Sequence, residues 1–137
     1  MMTFEYQVQA GDFTTGGFVS SQVKKTLKQL NVDVAVIKRV VVALYEAEIN
    51  IVAHSHGGVI YVAIDNDKIT IKLVDKGPGI PDIDLAMTAG YSTASPQVRE
   101  MGFGAGMGLP NIKNNVDYLN VKSEVGVGTE VDMMVNF

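Results

Sequence analysis

Polar and apolar residues alternate in twos at the start of the chain, and in threes and fours soon after. From Thr3 to Gln9, Phe4, Tyr6 and Val8 share one side and polar residues take the other, the period of a strand with one wet face. Gly11 and Asp12 turn the chain, and Thr14 or Thr15 is placed to cap a helix running to about Leu30. The apolar stripe of that helix is Val19, Val23, Leu27 and Leu30, with Lys24, Lys25 and Lys28 outward. The segment Asn31 to Asp33 breaks the pattern, and Asp33 has the short acceptor side chain that suits an N-cap.

A second helix is expected over about Val34 to Ala53, apolar on almost every side. Ile37, Val41, Leu44 and Ile51 make one face, and Val36, Ala43 and Ala47 make another. A helix of this kind belongs in the interior, or roofs a pocket on one side. Its polar residues need partners, because burying one unpaired costs roughly 1–3 kcal/mol. Glu46, Asn50 and His54 recur at every fourth position and so share a face broadly opposite Ile37, Val41 and Leu44. Glu48 falls nearer the apolar side, where the pattern offers it no role.

After His56-Gly57-Gly58, the continuous apolar run Val59 to Ile64 reads as a central strand. Asp65-Asn66-Asp67-Lys68 has the composition of a hairpin turn. Ile69, Ile71 and Leu73 then alternate in an antiparallel partner strand that ends at Asp75. A short helix near Asp82 to Thr88 and a lid over about residues 82–103 are expected next, because weak periodicity meets loop-forming residues there. A third helical stripe carries Leu109, Ile112, Val116 and Leu119, with Pro110 in its first turn. Val121 to Glu124, the turn Val125 to Gly128, and the alternating Thr129, Val131, Met133, Val135 and Phe137 predict two closing strands. With no repeat or linker, the expectation is a single domain over residues 1–137. Its class is α+β: two layers, a mixed sheet covered by helices on one face.

Composition narrows what such a domain does. Of 137 residues, 47% are hydrophobic and 19% charged, the usage of an ordinary globular protein. The absence of cysteine excludes disulfides, thiolate metal sites and Cys nucleophiles. A net charge of −4 without a basic run argues against nucleic-acid binding. The N-terminal residues alternate like a strand, not like a signal peptide, and no apolar stretch approaches the roughly 20 residues of a membrane helix. A cytoplasmic protein without membrane attachment is expected.

The densest chemical signal is Gly102-Phe103-Gly104-Ala105-Gly106-Met107-Gly108-Leu109-Pro110-Asn111, which runs into the third helix. Glycines admit a ligand to bare backbone, and unpaired N–H groups at a helix start attract anions, so this is a candidate phosphate cradle. A flexible loop with incidental glycines is the alternative. The Gly-x-x-x-x-Gly-Lys-[Ser/Thr] phosphate loop is absent, and the dinucleotide fingerprint fails because its third glycine would fall on Met107 or Leu109. Asp75-x-Gly77-x-Gly79 closes a strand with a carboxylate able to accept from an exocyclic amine such as that of adenine, or is simply a turn-forming Asp. Asn50 offers an amide oxygen suited to Mg²⁺, and Glu46, one turn earlier, is placed to take a proton. A satisfied buried polar group is the plainer reading of each. His54 fits best as a helix-ending residue, and with His56 makes no metal site alone. The Thr129 hydroxyl is a candidate to support Asp75 through water, Arg99 to neutralise phosphate charge, and Lys76 to do the same or to lie on the surface.

In order, Glu46-x-x-x-Asn50, Asp75-x-Gly77-x-Gly79, Gly104-x-Gly106-x-Gly108-Leu109 and Gly128-Thr129 resemble the motifs of the Bergerat-fold ATPases, from about Val34 to Val135. That superfamily holds DNA gyrase B, Hsp90-type chaperones, sensor histidine kinases and MutL. A module this short, with Glu before the metal-binding Asn, looks like the anti-sigma serine/threonine kinases, and among them the switch kinases of bacterial stress signalling. The resemblance implies ATP and Mg²⁺ as cofactors, Glu46 as general base and Asn50 as the Mg²⁺ ligand. It implies that Asp75 contacts adenine beside Gly77 and Gly79, with Thr129 supporting that end. Gly104, Gly106, Gly108 and Leu109 would hold the phosphates. The implied substrate is a serine or threonine hydroxyl on a STAS-domain antagonist protein, with a sigma factor or signalling complex as further partner. The extra Gly102 and the lid sequence Tyr91 to Met101 depart from the family pattern. A nucleotide-gated binding module and an ATP hydrolase of a larger assembly are the alternatives. Relatives suggest a homodimer.

Overall fold

A computed structural model describes residues 1–11, 16–77 and 108–137, apart from the side chain of His54. Thr14, Thr15, the Asp82–Thr88 helix, the lid, and Gly79, Arg99, Gly102, Gly104 and Gly106 lie outside the described residues. In chain order the elements are β1 (Met2–Val8), α1 (Phe18–Gln29), α2 (Val34–His54), β2 (Gly58–Ile64), β3 (Lys68–Asp75), α3 (Gly108–Asn115), β4 (Tyr118–Glu124) and β5 (Gly128–Asn136).

The five strands form one sheet in the order β1-β2-β3-β5-β4. Every described pairing is antiparallel, so the sheet is not the mixed one expected. For two of the four pairings, β2–β3 and β4–β5, the reason lies in the connections. β2 and β3 form a hairpin whose turn is closed by Asp65 N–H donating to Lys68 O at 2.9 Å, and β4 and β5 are joined through a turn at Gly126, whose φ is +84°. Neither link is long enough for the crossover that parallel strands need. The run Val59 to Ile64 is also not buried on both faces: Ile60, Val62 and Ile64 are in the core, whereas Tyr61 is 42% exposed. One face of the sheet carries the helices and the other meets solvent.

α2 organises the helical layer. Asp33 caps it as its composition predicts, Oδ1 accepting from Ala35 N–H at 2.8 Å. Its apolar faces put Ile37, Val40, Ala43, Leu44, Ala47 and Ile51 into one core with Ile60, Ile71, Leu73 and Met133 of the sheet. α1 packs against α2 through Val19, Val23 and Leu27. Leu30 does not continue that stripe. Asn31 takes a left-handed φ of 59°, and its N–H and that of Val32 return to the carbonyls of Lys28 and Leu27, which stops the helix and leaves Leu30 exposed. The third helix is likewise shorter than its stripe. It ends at Asn115, and Val116 and Leu119 reach the core from the following segment and from β4.

The N-terminus of α1 is closed in an unexpected way. Gly17 precedes the helix and no local side chain caps it. The carboxylate of Glu48, on α2, does so across the helix pair. Its Oε2 accepts from Gly17 N–H at 3.0 Å and Val19 N–H at 3.2 Å, and its Oε1 from Ser20 N–H at 3.1 Å and Ser20 Oγ at 2.9 Å. Glu48 is buried because the orphan amides of a helix start and their partial positive charge replace its water.

Candidate functional site

Two polar centres lie along α2. Glu46 and Asn50 are half-buried on one face of the helix, as their four-residue spacing requires. α3 lies against this part of α2, with Leu109 and Ile112 buried in the common core. Between those two residues, Asn111 turns towards α2 and its Nδ2 donates to Glu46 Oε1 at 3.4 Å. Gly108 opens α3, so the N–H groups of the first turn after the glycine stretch come to the region of Glu46. The side chain of Leu109 is in the core, so anything this residue gives a phosphate comes from its backbone.

The second centre is at the C-terminal end of β3. Asp75 Oδ1 accepts from the backbone N–H of Thr129 at 3.1 Å. The Thr129 hydroxyl lies 2.9 Å from Ser123 Oγ, and the direct support to Asp75 comes from the Thr129 amide. Burial pushes the Asp75 carboxyl above the usual carboxylate range, against the Thr129 hydrogen bond and the charge of His56, which favour ionisation.

Glycines make the room around this carboxylate. Gly58 pairs with Asp75 across the β2–β3 ladder, and a Cβ on Gly58 would run into Val74 O and lie 2.9 Å from Asp75 Cα. On the other flank Gly128 has a φ of +153°, and a Cβ there would run into Asp75 O. Gly77 passes between Ser55 and Asp75, where a Cβ would lie 3.1 Å from Ser55 Cα and 3.6 Å from Asp75 Oδ1. The strand ends are then tied beyond the ladder: His56 N–H donates to Lys76 O at 2.6 Å, and Lys76 N–H to Gly57 O at 2.9 Å. Lys76 itself is on the surface.

Of the residues expected from the sequence, Glu46, Asn50, Gly108 and Leu109 thus lie on α2 and α3, and Asp75, Gly77 and Thr129 at the strand end. The sequence pattern gives Gly58 no role beyond half of a Gly-Gly break, and Asn111 enters it only as the last residue of the glycine-rich stretch, with no contact to Glu46 foreseen.

A two-layer α+β domain whose glycine-rich stretch opens a helix, with a carboxylate held at a strand end, defines a class. The chain belongs to the family of histidine kinase-, DNA gyrase B- and HSP90-like ATPases, whose pattern it matches over residues 13–137. Within that family it is similar to the serine/threonine-protein kinase RsbT of Bacillus subtilis (strain 168), at 35% identity over 97 residues, 68% of this chain and 67% of that protein. It is also similar to the anti-sigma F factor of Thermoanaerobacter sp. (strain X514), at 33% identity over 121 residues, 85% of this chain and 81% of that one. The fold matches the crystal structure of the RsbU and RsbW domains of Rv1364c from Mycobacterium tuberculosis with a TM-score of 0.66 at 15% identity. That match covers 98% of this chain and 32% of the longer one, so the chain spans about a third of that protein. The mycobacterial sensor histidine kinase MprB gives a TM-score of 0.56 at 17% identity, covering 98% and 97% of the two chains. The resemblance read from the motifs is borne out: this is an ATP-binding domain with anti-sigma and serine/threonine kinase relatives. Among the described residues, no helix is long and apolar enough to cross a membrane.

Proposed function

We propose that this protein is an ATP-dependent serine/threonine kinase of the anti-sigma switch type, transferring the γ-phosphate to a hydroxyl of a STAS-domain antagonist. The observation that carries the reading is the placement of Glu46. Its carboxylate is half-buried on α2 and touches α3 one turn after Gly108, where the glycine stretch delivers its helix N-terminus. In this reading Asp75 accepts from the adenine amine, with Gly77 and Gly79 beside the base and Thr129 holding the carboxylate. The backbone of Gly104, Gly106, Gly108 and Leu109 cradles the phosphates, and Arg99 adds positive charge.

An amide oxygen is a hard ligand that suits Mg²⁺, and in this reading the half-buried Asn50 offers one. Mg²⁺ characteristically takes the rest of its shell from phosphate and water. Bound there, Mg²⁺ would neutralise charge on the phosphates. Glu46 orients the acceptor hydroxyl and takes its proton as the new O–P bond forms and the bond from the γ-phosphorus to the bridging oxygen breaks.

The test follows the label of γ-labelled ATP, with Mg²⁺ and a STAS-domain protein of the same genome, beside a Glu46→Gln control. Label on a partner serine or threonine, lost in the control although ATP still binds, is the expected result. Transfer at the wild-type rate by the control overturns Glu46 as the base. Release of free phosphate identifies a hydrolase. The anti-sigma F factor among the relatives favours one second reading, a nucleotide-gated module that holds a sigma factor with little transfer. Label that stays on ATP supports it.

A further inference from the structure

The contact between Asn111 and Glu46 joins residues 65 places apart in the chain, and the reading above gives Asn111 no task. Its mount is firm. Leu109 and Ile112 on either side are 7% and 0% exposed, and the Asn111 carbonyl accepts from Asn115 Nδ2 at 2.7 Å. Its side chain is therefore aimed from a fixed backbone. What it offers Glu46 is a neutral donor on one oxygen, Oε1. A lysine at this position would pair with the carboxylate and compete with an incoming proton, and an aspartate would repel it. An amide does neither. It biases the rotation of the carboxylate through Oε1 and, among the described residues, leaves Oε2 for a substrate.

Resting on the kinase reading, we propose that Asn111 is a positioning residue for phosphoryl transfer: it holds the Glu46 carboxylate in the orientation that receives the acceptor proton. Because Asn111 sits one turn into α3, the start of that helix and the proton acceptor move as one unit. The aim of the base is then set by the same helix that meets the phosphates.

Two measurements test this. The first is steady-state transfer from ATP to the STAS-domain acceptor. Asn111→Ala lowers kcat by about ten- to a hundredfold, the loss of one hydrogen bond to a charged group, and leaves KM for ATP within about twofold. Asn111→Asp, equal in shape but anionic, lowers kcat further. A raised KM with unchanged kcat overturns the proposal, as does an Asn111→Asp variant as active as wild type. Unfolding midpoints of both variants confirm that the loss is not one of folding. The second needs no turnover and no nucleotide. In the NMR spectrum of the free protein, the Asn111 side-chain amide resonances move when Glu46 is replaced by Ala. Resonances that stay in place overturn the contact and with it the proposal. If the wild-type protein transfers no phosphate, the kinase reading is what fails, and the amide resonances still decide whether Asn111 holds Glu46.

Discussion

At the scale of single residues, two carboxylates show how position decides what the same group does. Glu48 is buried against the start of α1 and accepts four hydrogen bonds, so removing it strands three helix amides and a hydroxyl. Glu48→Ala is expected to cost about 3 kcal/mol and to lower the unfolding midpoint by about 6–12 °C. Glu48→Gln recovers little of this, because its NH₂ faces donors; calorimetry of the two variants checks both statements. Asp75 behaves in the opposite sense. Burial raises its pKa, so the folded state binds the proton more readily than the unfolded chain. Whatever stability this gives is present below the ordinary carboxylate pKa of about 3.9 and is lost as pH rises through the raised folded value. Asp75→Asn keeps an oxygen for the Thr129 amide and removes that dependence. Its stability is expected to match or exceed wild type at pH 7, the difference vanishing in acid, while its ATP affinity falls about tenfold or more. Thermal melts across pH and an ATP titration read the two effects separately.

Among elements, the contrast between α2 and its neighbours shows what periodicity reveals. Among the described residues, the three helices, the five strands and the Asp33 cap follow from spacing, because each element buries a stripe that recurs at its own period. What periodicity does not record is where a backbone stops or what crosses between elements. The stripes of α1 and α3 run on through Leu30 and through Val116 and Leu119, yet Asn31 ends one helix and the other stops at Asn115, with apolar residues beyond it still reaching the core. Glu48 resisted reading because its partners are amides of another helix, 28 to 31 residues away. At the strand end Asp75 and Gly77 were legible as a motif, but Gly58 was not, since its role depends on the β2–β3 register. The two glycines flanking Asp75 lead to a prediction at this scale. Gly128→Ala and Gly58→Ala should each cost about 2 kcal/mol or more, because a methyl group would meet neighbouring backbone that has nowhere to move. Denaturant titration measures this, and ATP binding should weaken with it as Asp75 is displaced.

For the molecule as a whole, the proposed reading has the nucleotide span the α2–α3 junction at one end and the ends of β3 and β5 at the other. A ligand bound across them stabilises the folded state by RT ln(1 + [L]/Kd), about 2.7 kcal/mol at a hundred times Kd. Saturating Mg²⁺-ATP is expected to raise the unfolding midpoint by about 5–10 °C, and the Asp75→Asn variant should need more ATP for the same rise. Differential scanning fluorimetry against ATP concentration checks this. The strand order has a consequence for how the protein is made. β4 leaves the ribosome before β5, yet it reaches the sheet only through β5, which lies between β3 and β4. Until residues 128–136 have emerged, a nascent chain holds at most β1, β2 and β3 together, with the pairing edge of β3 bare. The amide that grips Asp75 comes from that same late strand. Translation that pauses before Gly128 therefore leaves a sticky half-sheet without the amide that holds Asp75, and the interval before β5 appears is when a chaperone has most to protect.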